Sequence, residues 1–100
     1  MKIPRKIRVL GHDYSVEVTK DAMYENGALG LCCNNTQRIS ISDGIKDDAK
    51  MSCLIHEVLE AVKFQLNLGS ADGDEDAFPH HILSQISTAI FCVVRDNKWL

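Results

Sequence analysis

Residues 47–66 read DDAKMSCLIHEVLEAVKFQL, and this stretch sets the architecture of the second half of the chain. Met51, Leu54, Ile55, Val58, Leu59, Val62 and Leu66 recur at intervals of three and four, the spacing that gathers one apolar stripe on an α-helix. Asp47 and Asp48 stand where a helix N-terminus favours carboxylates, and Gly69 is expected to end the helix. Cys53, His56, Glu57 and Glu60 are interleaved with the stripe, away from the Lys50 and Lys63 side. Polar groups set so close to a core need partners, because leaving one buried and unpaired costs roughly 1–3 kcal/mol.

Downstream, residues 70–76 (SADGDED) form an acidic loop rich in helix breakers, and Pro79 suits the first turn of a second helix. Ile82, Leu83, Ile86, Ile90, Val93 and Val94 give that helix its own apolar stripe. The acidic loop starts like a calcium loop, but Ala77 stands where glycine is required and Leu83 where the closing glutamate belongs. It reads as a solvated loop. Upstream the period changes from 3.6 to two. Residues 6–10 and 14–19 read as strands joined through Gly11-His12-Asp13, with Tyr14, Val16 and Val18 alternating against Ser15 and Glu17. Residues 21–26 read as a short helical turn or an irregular link. Residues 29–33 and 38–42 suggest a second hairpin around Asn34-Asn35-Thr36, with Ile39 and Ile41 alternating against Ser40 and Ser42. The expected fold is α+β, a single domain over 1–100. About four N-terminal strands in antiparallel hairpins pack against two long C-terminal helices lying on one sheet face.

A chain of 100 residues can bury a modest core without disulfides. Its 45% hydrophobic and 25% charged residues are those of an ordinary globular protein. A net charge of −3 argues against a nonspecific grip on nucleic acid or an anionic membrane. Lys2, Arg5, Lys6 and Arg8 alternate with Ile3, Ile7 and Val9, as on a solvated strand face. Neither a secretory leader nor an apolar run of membrane-spanning length is visible, so a cytoplasmic location is expected. There, Cys32, Cys33, Cys53 and Cys92 are expected as reduced thiols, with Cys32 and Cys33 on opposite faces of a strand. His12 reads as a turn residue at the surface, and Trp99 as a packing anchor near the C-terminus.

The string His56-Glu57-Val58-Leu59-Glu60 is HExxE, one residue from the HExxH signature of zinc metalloproteases. On a helix, His56 and Glu60 lie one turn apart on one face, with Cβ atoms roughly 5–6 Å apart. That suits two ligands of one metal ion, with Glu57 as general base toward a water on the metal. A His–Glu hydrogen-bond network would satisfy the same residues less specifically. A catalytic zinc needs a third protein ligand. His80, His81, Cys53, Asp74, Glu75 and Asp76 are the candidates that the residues themselves offer.

Several segments together resemble a family of small phage and prophage proteins related to minimal zinc metallopeptidases, the minigluzincin-like zincins. They are Ile3-Pro4-Arg5-Lys6-Ile7 with Gly11-His12-Asp13-Tyr14, Gly30-Leu31-Cys32 before Ile39-Ser40-Ile41, and Leu54-Ile55-His56-Glu57-Val58-Leu59-Glu60-Ala61. The helix from Pro79-His80 to Ile90-Phe91-Cys92-Val93-Val94-Arg95-Asp96-Asn97 completes the match. The resemblance covers nearly the whole chain, and the helix motif is its specific part. It implies a zincin-like fold, a zinc ion held by His56, Glu60 and His80, Glu57 as the catalytic base, and a peptide or protein substrate. It also implies a strand edge beside the site that pairs with an extended peptide, for which the strand holding Ile39 and Ile41 is the candidate. For a phage-encoded protein the location would be the host cytoplasm. The chain departs from HExxH at Glu60, a harder ligand that bears on metal preference and on catalysis. Tyr24 and His81 are candidate oxyanion stabilisers. The alternative function is a non-enzymatic phage accessory or protein-interaction module that retains a degenerate metal site.

Overall fold

The computed structural model describes residues 2–20, 29–68 and 78–98. Four strands come first, β1 (Lys6–Val9), β2 (His12–Thr19), β3 (Gly30–Cys33) and β4 (Arg38–Ser42). Two helices follow, α1 (Asp47–Gln65) and α2 (His80–Asp96). This is the α+β order that the change of hydrophobic period implies. The readings of residues 21–26, Tyr24, Gly69, the 70–76 loop and Trp99 fall outside the described residues.

The β1–β2 connection is tighter than expected. Val9 pairs with His12, so only Leu10 and Gly11 turn the chain, with φ of 50° and 86°. Two positive φ values in succession match the right-handed twist of the flanking strands. His12 therefore opens β2 and does not sit in the turn. The sheet order is β1-β2-β4-β3: the two hairpins are antiparallel, but β4 joins β2 in parallel, Val16 opposite Ile39. Alternation sends Val9, Tyr14, Val16, Ile39 and Ile41 to the helix side, where they are buried with Met51, Leu54 and Ala61. Lys6 and Arg8 turn to the other face, where both meet Asp13 at 3.2 and 3.1 Å. Burial of a Leu- or Ile-sized side chain contributes about 1.5–3 kcal/mol.

Helix α1 packs against β1, β3 and β4, and α2 packs against α1, so α1 alone lies on the sheet face where both helices were expected. The N-terminus of α1 and the C-terminus of α2 are tied by the Arg95–Asp48 ion pair. The end of α1 is set by Asn67, which takes the left-handed conformation at φ 53°. Leu68 N donates to Lys63 O at 2.9 Å and Asn67 N to Phe64 O at 3.1 Å, the two bonds of a Schellman closure. The apolar stripes are only partly interior. Leu66 is 54% exposed, and on α2 Leu83 is buried while Ile86, Ile90 and Val93 face outward. Leu83, Ser87 and Phe91, at spacing four, form the inward face, with Leu83 and Ser87 buried and Phe91 reaching the main core. Among the described residues no helix is long and apolar enough to cross a membrane.

Candidate metal centre

Helix α1 brings His56 and Glu60 one turn apart, and the first residue of α2, His80, closes on them. Pro79 makes this start abrupt: its fixed φ of −66° leads from extended chain straight into the helix. Glu60 Oε1 stands 3.4 Å from His80 Nδ1 and 3.8 Å from His56 Nε2. The two imidazoles meet edge to face, with centroids 5.0 Å apart. One ligand atom from each of the three residues lies within 4.8 Å of the others. In a tetrahedral site with bonds of about 2.0–2.1 Å, neighbouring ligand atoms stand roughly 3.3 Å apart. Small side-chain adjustments reach that spacing, so the group could hold a metal ion. Of the residues proposed for the third position, His81 and Cys53 stay outside this cluster, and Asp74, Glu75 and Asp76 lie outside the described residues.

Electrostatics sort the roles. Burial and the neighbouring His80 hold the His56 pKa below its ordinary value, against the pull of Glu60. A neutral imidazole is the form that ligates. Glu57 is buried at 7% exposure in the middle of the apolar stripe. Burial first, and the charge of Glu60 second, push its carboxyl up to about 7. It is thus a carboxyl beside the ligand set, poised to take and release a proton near neutral pH.

The cluster opens into a cleft of about 580 Å³. Helix α1 is its floor; β3 and α2 are its walls, each packing on α1 and not on one another. Glycine at position 30 permits the close approach of β3. A Cβ there would overlap Cys53 Sγ and stand 3.2 Å from Glu57 Oε2. Cys32 and Cys53 also line the cleft, and burial, with Glu57 nearby, pushes both thiols up to about 12. A thiol held so high is protonated at neutral pH and is a poor nucleophile. Cys33 is exposed on the other face, as strand alternation requires.

One expectation is corrected. The strand holding Ile39 and Ile41, β4, is interior, bonded to β2 on one side and β3 on the other. The edge beside the cleft is β3. Alternation reports which face a strand buries and is silent about its neighbours. Asn34 and Ser84, which also line the cleft, carry no motif. Gly30 had a legible signal: an isolated glycine in a strand marks close backbone approach. Comparison with family models, with curated proteins and with solved structures finds no match to the chain.

Proposed function

We propose that this protein is a small zinc-binding, zincin-like metallopeptidase that hydrolyses a peptide bond laid in the cleft between β3 and α2. The observation that carries the reading is the convergence of His56, Glu60 and His80 beside the buried carboxyl of Glu57. Two imidazoles and a carboxylate, with a fourth position left to the cleft, are a donor set of catalytic zinc. The resemblance to small phage and prophage zincins supports the same assignment. When bound, zinc would supply Lewis acidity toward the scissile carbonyl. Glu57 accepts a proton from the attacking water as the water oxygen bonds to the carbonyl carbon. As the C–N bond breaks, the same carboxyl returns that proton to the leaving amine. Among the described residues no strand pairs with the outer edge of β3, and its main-chain N–H and C=O groups are offered to an extended substrate.

A second reading has its own support. Ile86, Ile90 and Val93 leave an apolar strip exposed on α2, which favours an interaction module, a phage accessory protein for instance, that keeps the metal site without turnover. Elemental analysis and zinc titration test the first step. One zinc per chain is expected, lost in His56→Ala, Glu60→Ala and His80→Ala. Glu57→Gln should retain zinc and abolish hydrolysis of a peptide library. Zinc binding without turnover by the unaltered protein, or absence of zinc binding, overturns the peptidase reading and favours the interaction module.

A further inference from the structure

Asn34, in the turn between β3 and β4, lines the cleft together with the metal cluster. Its carboxamide oxygen is held directly from two other elements, and through one of them from a third. Gln65 Nε2, at the end of α1, donates to Tyr14 Oη at 3.1 Å. Tyr14, buried completely on β2, donates its own O–H to Asn34 Oδ1 at 2.9 Å. Cys32 Sγ, on β3, reaches the same oxygen at 3.5 Å. Tyr14 has a single O–H proton, and with Gln65 donating to its oxygen that proton fixes which end of the amide faces inward. Both bonds to Asn34 fall on Oδ1, so the amino group is the end left for the cleft. A donor with no acceptor capacity selects a carbonyl or carboxylate oxygen as its partner.

We infer that Asn34 is a substrate-positioning residue whose Nδ2 donates to a main-chain carbonyl of an extended peptide lying along β3. This rests on the peptidase reading and adds to it the point at which the substrate strand is registered. Asn34 and Cys32 line the same cleft as His56, Glu57 and Glu60, so the contacted carbonyl belongs to the same extended stretch of substrate as the bond cut. The turn is a better place for this donor than the strand itself, because the β3 edge pairs through backbone groups that every peptide satisfies. A clamped side chain adds register.

The test uses the full chain loaded with zinc and two inert probes. One is a tetra-alanine analogue whose central peptide bond is replaced by a phosphinate, which extends two residues on either side of the metal-binding group. The other is acetohydroxamate, which binds metal and reaches no further. Asn34→Asp keeps an acceptor for Tyr14 and Cys32 but removes the donor; Asn34→Ala removes both. The phosphinate should bind at least about five-fold more weakly to each variant, and most weakly to Asn34→Asp, where a carboxylate faces a carbonyl. Zinc and acetohydroxamate affinities should shift less than about two-fold, which also reports that the fold is intact. Unchanged phosphinate affinity overturns the Asn34 assignment alone. A parallel loss of zinc affinity overturns it too, by showing a structural role. If the unaltered zinc-loaded protein binds neither probe, the peptidase reading falls and takes this inference with it.

Discussion

Glu57 shows how one residue is shaped by its place. Its carboxyl is raised to about 7 by burial and by Glu60, so the folded protein holds a proton that the unfolded chain releases near 4.5. Between those values the folded state binds more protons, and stability falls as pH rises through the window. The metal-free protein should therefore melt at a lower temperature at pH 8 than at pH 5. Glu57→Gln, measured in the same thermal scans, should flatten that dependence and gain on the order of 2 kcal/mol at pH 8. A cation on the neighbouring ligands would offset the same penalty by stabilising the carboxylate. Ser84 bears on His80 in a comparable way. For Nδ1 to ligate, the proton of His80 must sit on Nε2, where Ser84 Oγ lies 3.4 Å away to accept it. Ser84→Ala should weaken zinc binding about ten-fold in a competitive chelator titration, with Ser84→Thr restoring most of it.

Among the elements, β3 is the one whose placement matters most to the site, and its packing turns on a missing side chain. Gly30 lets the strand lie against Cys53 and Glu57. Gly30→Ala should cost about 1–3 kcal/mol in denaturant unfolding, the range for overpacking a filled contact. Adding Cys53→Ala should return much of that loss, because the overlap is with the Cys53 sulfur. Losses that simply add would place the strain elsewhere. Helix α2 makes the opposite point. Its apolar residues are numerous, yet Leu83 is buried while Ile86, Ile90 and Val93 are not. Periodicity shows that a helix is amphipathic, but the inward face here passes through Ser87 and Phe91.

At the scale of the whole molecule, the cluster joins two helices: His56 and Glu60 come from α1, and His80 from the start of α2. A metal bound there acts as a cross-link present only in the folded state. With free zinc at about 100 times Kd, the gain is about 2.7 kcal/mol. In a domain of this size that is a rise in melting temperature of the order of 10 °C, read by differential scanning calorimetry and reversed by a chelator. His80→Ala should abolish the shift, and Glu57→Gln should keep it. The sequence by itself determined the element order, the inward faces of β2 and β4, and the His56–Glu60 pair. All of these are set by local periodicity or by one turn of helix. The ligand His80 was named through a resemblance; local pattern left it beside His81, Cys53 and the acidic loop. Only the tertiary structure decided that His80 closes on Glu60, that β4 pairs in parallel with β2, and that β3 is the edge at the cleft. It also decided that Gln65 donates to Tyr14 and that Tyr14 and Cys32 donate to Asn34. Apart from the local Cys32–Asn34 bond, these contacts join residues far apart in the chain, and their partners are chosen by packing, which no local period encodes.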